Sequence, residues 1–347
     1  AADGIATAYI DIDQLGMCYP EPVGDVDRWM LKEHALARVA EQFRRDGVAR
    51  LIVSGVADPA APPPRGIPRT SAVWLDADEG TRSVRLAPRG WTRERVEAVL
   101  AAGSADAAAV HRDWLRLETT DHPLNETVGL VRARWESVIG GAACDPSNVD
   151  DRQDPAGIVA DAARLIWLTG PRCAGASQVG WQVVDGLWRG GHRAGFVDVA
   201  QLGFVWRAAN RPVREEEEGI ALRNAAAVHE GFSRTGAHTL IAVAPFEMSP
   251  DAVRHAFPEA ELSFFRLDAD DATRRTRALE RAAGEGGPIL AGDDVRGAPP
   301  SVIDEVVRDG ARQRRTPVRV GEHLLDASGG DPAELAAVVR RACRLPD

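Results

Sequence analysis

A glycine-rich loop carries the clearest chemical pattern in the chain. Residues 170–177 have the sequence Gly-Pro-Arg-Cys-Ala-Gly-Ala-Ser, in which Gly170, Gly175 and Ser177 match the phosphate-loop pattern GxxxxGK[ST]. In such a loop, backbone N–H groups and the N-terminus of the next helix surround the phosphates, the lysine neutralises their charge and the hydroxyl binds magnesium. Ala176 stands where that lysine belongs, so the loop is a degenerate Walker A pattern.

The missing lysine leaves two interpretations of the loop open. In the first, the backbone still binds nucleotide and Arg172 supplies the positive charge. The nucleotide-binding residues are then Gly170, Arg172, Gly175 and Ser177. In the second, the loop is a relic that only joins a strand to a helix. The only lysine in the chain is Lys32, which follows the first strand and is therefore not a displaced phosphate-loop lysine by local sequence.

Two carboxylates follow the first apolar run of the chain. Asp11 and Asp13 stand at the C-terminal end of a predicted strand, the edge at which doubly wound sheets bind ligands. Residues two apart on a strand project to the same side. The pair is therefore predicted to be catalytic, either holding magnesium through water or taking a proton from an acceptor hydroxyl. The alternative is a solvated strand end with a capping aspartate.

Four further residues are candidates for binding substrate. Ser54 and Asp58 come directly after the next apolar run, where a residue on the magnesium or substrate side is expected. Arg82 and Arg85 have helical spacing and could close over phosphates as lid residues. The plainer alternatives are a strand-end hydroxyl for Ser54 and a solvated helix face for the arginines.

Several segments occur twice, in the same order, and indicate an internal duplication. Residues 9–16 have the sequence YIDIDQLG, and residues 196–203 have FVDVAQLG. Each segment is followed by a helical stretch that ends at glycine and then by an apolar run. The sequence LDAD then occurs in both copies, at 75–78 and at 267–270. The second copy keeps Asp198 but has Ala200 where the first has Asp13.

The alternation of short apolar runs with helical stretches predicts an α/β fold of parallel sheets covered on both faces. We therefore predict two P-loop-NTPase-like, doubly wound domains in tandem, 1–140 and 161–347, joined by a linker at 141–160. The first copy lacks the strand, glycine loop and helix that open the second. We expect that an N-terminal segment is absent from the sequence, and the alternative is a genuine loss.

Composition limits the classes of partner. The chain has 347 residues, 44% hydrophobic and 27% charged, with a net charge of -10. An acidic chain is expected to bind neither nucleic acid nor an anionic membrane. The four cysteines are scattered without a CxxC pair, which argues against zinc and for a reduced, cytoplasmic protein. The expected partner is a small-molecule substrate, and an oligomer is left open.

The loop at 170–177, the segment Asp11-Ile-Asp-Gln-Leu15 and the Asp-Ala-Ser before the last helix resemble small-molecule kinases of the P-loop class. Adenylylsulfate kinase, gluconate kinase and chloramphenicol phosphotransferase are the groups concerned. The resemblance implies a five-stranded parallel core, ATP with magnesium, and phosphoryl transfer to a small hydroxylated molecule. It also implies that Asp11 or Asp13 contacts or deprotonates the acceptor. The chain departs from the family at Ala176, at Ala200 and at its start.

These features together predict an ATP- and magnesium-dependent phosphotransferase that acts on a hydroxyl of a small metabolite. Its active site is expected in the N-terminal copy, and the second copy is expected to be degenerate. The alternative is a catalytically inactive nucleotide-binding or scaffold protein. A further alternative is one cleft shared by the loop of the second copy and the carboxylates of the first.

Overall fold

The computed structural model describes residues 5–63, 70–139, 163–206, 214–285 and 292–346. It divides into two compact units, one made of Ala1–Val56 with Ala156–Asp347 and the other of Ala57–Pro155. Packing thus groups the start of the chain with its C-terminal half. The predicted linker at 141–160 lies outside the described residues, and the domain limits at 140 and 161 stay a prediction.

The helices and strands alternate along the chain. In chain order they are β1 (Thr7–Asp11), β2 (Cys18–Tyr19), α1 (Trp29–Arg45), β3 (Arg50–Ser54), β4 (Val73–Asp76), α2 (Glu79–Leu86), α3 (Arg93–Ala109), β5 (Leu115–Glu118), α4 (Leu124–Ile139), β6 (Arg164–Gly170), α5 (Ala176–Arg189), β7 (Ala194–Asp198), β8 (Val205–Trp206), α6 (Arg214–Arg234), β9 (Thr239–Pro245), α7 (Pro250–Ala256), β10 (Glu261–Asp268), α8 (Asp271–Ala282), α9 (Pro300–Arg314), β11 (Glu322–Asp326) and α10 (Pro332–Ala342). None of the helices in the described ranges has both the length and the apolar character needed to cross a membrane.

The main sheet of the larger unit has the strand order β11-β10-β6-β9-β7-β2. The first five strands are parallel, and β2 pairs antiparallel with β7 at the edge. The central strand β6 is apolar and buried from Leu165 to Leu168 because helices cover both faces of a parallel sheet. Helix α5 packs against β7, β9 and α10 and closes one side of this core. The predicted α/β class with parallel sheets is confirmed.

A second sheet in the larger unit has the order β3-β1-β8, with β1 and β3 parallel. Its antiparallel strand β8 comes directly after β7 in the chain, just as β2 comes directly after β1. The strands β1 and β2 belong to one segment, 7–19, and β7 and β8 belong to another, 194–206. Strand β2 pairs with β7, with Cys18 opposite Gly195, and β8 pairs with β1, with Val205 opposite Ala8. The two segments therefore exchange their short strands.

The backbone contacts of this exchange are the same in both directions. The N–H of Tyr9 donates to the carbonyl of Phe204 at 3.1 Å, and the N–H of Phe196 donates to the carbonyl of Met17 at 2.8 Å. Helices α1 and α6, which follow the exchanged strands, pack against each other. Residues 5–56 are held to the C-terminal half by this reciprocal pairing.

The smaller unit contains the parallel pair β4 and β5. It repeats contacts that the larger unit makes around β10 and β11. The N–H of Asp78 donates to Thr120 Oγ1 at 2.8 Å, and in the larger unit the N–H of Asp270 donates to Ser328 Oγ at 2.8 Å. Both aspartates also cap the helix that follows, α2 or α8.

Candidate functional site

The glycine loop joins the C-terminal end of β6 to the N-terminus of α5, as the sequence predicts. Gly170 ends the strand at a close approach of two backbones, since a Cβ there would lie 2.5 Å from the carbonyl oxygen of Leu267. Gly175 has φ 103°, a conformation that favours glycine, and it precedes α5 without any capping side chain. The first-turn amides of α5 thus receive no side-chain acceptor from Gly175, which suits binding of an anion.

Arginines provide positive charge near the loop. Arg172 lies half-exposed within it and forms an ion pair with Asp294. Arg277, on α8, donates to the carbonyl of Ala174 at 2.8 Å and to that of Ala327 at 2.9 Å. Ser177 is exposed in the first turn of α5. The loop therefore has cationic neighbours although it lacks the lysine.

The arginines of α8 serve different purposes. Arg274 is fully buried and donates to the carbonyls of Ala269 and Val307, so it ties α8 to α9. Arg281 forms an ion pair with Asp293 at 2.9 Å. Its charge also acts on the carboxyl of Asp198. The arginines of α8 are thus divided between packing and the sheet edge.

Asp198 lies at the C-terminal end of β7, the same edge that carries the loop. Its carboxylate accepts a hydrogen bond from the N–H of Ala200 at 3.1 Å and caps the 3₁₀ turn after the strand. Burial raises the pKa of Asp198 to about 6, and the hydrogen bond and Arg281 oppose this rise only in part. Sequence reasoning left Asp198 out of the candidate site, although its match to Asp11 in the repeat could have included it.

Asp11 and Asp13 lie at the C-terminal end of β1, the middle strand of the second sheet of the larger unit. The strand stops at Asp11, and Asp13 belongs to a 3₁₀ turn over Ile12–Gly16. The prediction that both carboxylates project from one strand is therefore wrong. The cause is a local hydrogen bond, from the N–H of Asp13 to Asp11 Oδ1 at 2.9 Å, which turns the chain. Burial raises the pKa of Asp11, and this hydrogen bond partly opposes the rise.

Lys32 joins these carboxylates from α1. Its Nζ lies 2.8 Å from Asp13 Oδ1, and the lysine is 3% exposed. Ser54 lies opposite Asp11 in the parallel pair of β1 and β3, and its hydroxyl shares a hydrogen bond with the Tyr9 hydroxyl at 2.7 Å. The structure thus brings together Asp11, Asp13, Ser54 and Lys32. Sequence reasoning did not place Lys32 in the site.

The other predicted substrate residues belong to the smaller unit. Asp58 accepts a hydrogen bond from the N–H of Ala60 at 2.9 Å. Arg85 donates to the carbonyl of Thr119 at 2.7 Å, and Arg82 donates to Ser104 Oγ at 3.4 Å. Both arginines line a cleft of about 500 Å³ beside β4, together with Asp76, Asp106, His122 and Thr127. Their role as substrate ligands stays a prediction.

Neither the end of β1 nor the glycine loop carries enough side-chain ligands to enclose a metal ion. Among the side chains in the described ranges, no group of three or more His, Cys, Asp or Glu residues could hold a metal ion. Carboxylate oxygens of Asp11 and Asp13 and the hydroxyl of Ser177 are of the type that magnesium prefers, mostly through its water shell. At each of these two places, the carboxylates after β1 and the hydroxyl in α5, the ligands fit a magnesium ion bound mainly through water rather than a full protein cage.

Comparison with known proteins gives limited similarity. No protein-family model and no curated protein matches the chain. Solved structures that resemble it include a sugar kinase from Janibacter sp. HTCC2649, with a TM-score of 0.35 and 14% identity over 53% of this chain and 95% of that one. A gluconokinase from Sinorhizobium meliloti 1021 gives 0.32 and 15% over 53% and 94%. A shikimate kinase from Acinetobacter baumannii in complex with shikimate gives 0.30 and 13% over 52% and 94%. Such values do not assign a function, which has to come from the residues themselves.

Proposed function

We propose that the chain is a kinase-like phosphotransferase that uses ATP and magnesium to phosphorylate a hydroxyl of a small metabolite. The observation that carries this proposal is the loop at 170–177. It stands at the C-terminal edge of five parallel strands, it has Gly175 in a left-handed conformation, and it precedes an uncapped 14-residue helix. Such a loop favours the phosphates of a nucleotide. Arg277 lies beside the loop, and Arg172 within it would have to exchange Asp294 for a phosphate to balance the charge.

In this proposal the two halves of the chain are diverged copies of one kinase-like unit. Two sets of contacts support the duplication. The strand exchange has the same register in both directions. The hydrogen bond of Arg85 to the carbonyl of Thr119 corresponds to that of Arg277 to the carbonyl of Ala327. Residues 161–347 then form the copy with the loop, and residues 1–140 form the copy without it.

The acceptor site of this proposal lies in the N-terminal copy, at Asp11 and Asp13, and the proposal therefore takes the alternative in which these carboxylates would share one cleft with a nucleotide bound at 170–177. Asp11 is half-buried at a strand end, and Asp13 is held by Lys32. One carboxylate would orient the acceptor hydroxyl and take up its proton, while the other would hold magnesium through water. Ser54, in register with Asp11, would lie on the substrate side.

A second candidate function is nucleotide binding without transfer. Ala176 favours it, since the side chain that normally neutralises the β- and γ-phosphates is absent from the loop. Lys32 does not replace it, because Lys32 forms its ion pair with Asp13. The protein would then sense nucleotide or act as a scaffold.

Calorimetry with ATP and magnesium, together with an assay for ATP-dependent transfer to a panel of hydroxylated metabolites, separates these functions. The proposal predicts binding and transfer in the wild type. Asp11→Asn should abolish transfer and keep ATP binding, while Gly175→Val should weaken ATP binding. Glu41→Gln, in an exposed ion pair of α1, is the matched control. Binding with no transfer would support the second function, and no ATP binding would refute both.

A further inference from the structure

Lys32 is seated in a space shaped for its side chain. It is the only lysine in the chain and is almost fully buried. A Cβ on Gly16 would lie 2.6 Å from its Cγ and 2.7 Å from its Cε, so only glycine leaves room for it there. Its ammonium also lies 4.4 Å from the centre of the Trp29 ring. The neighbouring residues thus fix the path of this side chain.

The ion pair that Lys32 makes is asymmetric. The lysine side chain is 4% exposed, whereas the side chain of Asp13 is 46% exposed. Oδ1 of Asp13 accepts from the ammonium, and the exposed part of the carboxylate remains open to solvent. A ligand would therefore contact Asp13 and not Lys32.

The C-terminal half builds the same local structure without this ion pair. Asp198 caps the turn after β7 as Asp11 caps the turn after β1. Gly203 corresponds to Gly16, and a Cβ on it would lie 2.8 Å from the Cβ of Ala221. Alanine thus replaces both partners, Ala200 in the place of Asp13 and Ala221 in the place of Lys32.

This comparison separates the ion pair from the fold. Strand, capped turn, close glycine and helix form in both halves, and only one half carries the charges. Burying an ammonium costs free energy that its partner often only offsets, so such a pair is weak support for stability. The pair is better explained by what its exposed end can bind.

We propose that Lys32 is a positioning residue that holds the Asp13 carboxylate where it accepts a hydrogen bond from a hydroxyl group of the small substrate. This inference rests on the proposed function and divides the work between the two carboxylates. Because the ammonium already balances the charge of Asp13, a water-bound magnesium ion would be held by Asp11 rather than by Asp13. Its burial also prevents Lys32 from binding an anion directly.

Selective labelling tests this inference, because the full chain contains a single lysine. Expression with ¹³C- and ¹⁵N-labelled lysine, with no lysine added at the termini, gives NMR signals from Lys32 alone. The titrants are a panel of polyols, sugar acids and aminocyclitols, with inorganic phosphate as the anionic comparison. We expect at least one hydroxylated titrant to shift the Cε signal saturably, and phosphate to leave it unchanged.

Variants then separate positioning from a structural role. Lys32→Met keeps the length of the side chain and frees Asp13. Calorimetry of both proteins, since the variant has no lysine to label, should show binding of that titrant weakened about tenfold or more while the melting temperature stays near that of the wild type. In a transfer assay it should raise KM for the acceptor and not for ATP. A shift by phosphate alone, no shift with the whole panel, or unchanged affinity in Lys32→Met would overturn the inference. If the wild type shows no ATP-dependent transfer but a hydroxylated titrant still shifts the Lys32 signal, the proposed function is wrong and the hydroxyl-binding site remains supported.

Discussion

Removing one partner of the Lys32–Asp13 pair should have an effect on stability that depends strongly on which partner is removed. In Asp13→Ala the ammonium stays buried, with a side chain only 4% exposed, and loses its anionic partner. Breaking a buried pair in this way costs about 3 to 5 kcal/mol, and we take about 3 kcal/mol because Asp13 itself is half-exposed. In Lys32→Ala the carboxylate remains hydrated, so the cost is mainly the lost packing of the aliphatic stem, about 1 to 2 kcal/mol.

The double variant Asp13→Ala/Lys32→Ala has the residues found at the matching positions of the C-terminal half. It removes the unpaired charge, so it should be more stable than Asp13→Ala alone and lie close to Lys32→Ala. The three variants form a double-mutant cycle, and because the double variant lies close to Lys32→Ala, the coupling should equal the cost of Asp13→Ala alone, about 3 kcal/mol.

Thermal unfolding of the full chain measures this cycle. At about 2 °C per kcal/mol for a chain of this size, Asp13→Ala should lower the melting temperature by roughly 6 °C and Lys32→Ala by roughly 2 to 4 °C. The matched control is Glu41→Gln in the exposed pair with Arg45, for which no change is expected. Equal losses for the two single variants, or a double variant less stable than Asp13→Ala, would show that the buried ammonium does not depend on Asp13.

Three further predictions concern the edge of the main sheet. Because burial raises the pKa of Asp198 to about 6, its carboxyl favours folding below about pH 4 and this contribution is lost as the pH rises through 6. Asp198→Asn should therefore be about as stable as the wild type at pH 4 and about 3 kcal/mol more stable at pH 8, as measured by urea unfolding; a gap independent of pH would contradict the assigned pKa. Gly175→Ala places a Cβ at φ 103° and 3.3 Å from Arg277 Nη1, and it should cost about 1 to 2 kcal/mol and weaken binding of ATP in calorimetry, whereas unchanged binding would exclude the loop as the phosphate site. Ala176→Lys completes the phosphate-loop pattern and should tighten binding of magnesium ATP about tenfold, and a lack of any gain would indicate that the arginines already occupy the phosphate position.

Local signals were sufficient for the parts of the fold in which one segment determines its own conformation. The buried run of β6, the glycines of the loop and the start of α5 were all predicted from neighbouring residues, and the structure has them where expected. A strand covered on both faces must be continuously apolar, and a sharp turn with a left-handed residue favours glycine, so both leave a direct trace in the sequence.

Interactions between distant segments left no such trace. The two-residue strands β2 and β8 are too short to show alternation, and their partners follow from the crossing of two halves of the chain. One local contact also escaped prediction: Asp13 was expected on a strand, but its N–H donates to the carboxylate of Asp11, and the strand ends there. The side-chain carboxylates of such turns compete with strand pairing over a few residues, and the hydrophobic pattern does not report the result.

The sequence by itself therefore determined the α/β class, the loop with its missing lysine, and the presence of carboxylates after the first strand. Only the tertiary structure decided that residues 5–56 pack with the C-terminal half, and that Lys32 lies against Asp13. The physical reason is that periodicity determines which face of an element is buried. The partner of a buried charge depends on where that element meets another, and for Lys32 that place is the space left open by Gly16.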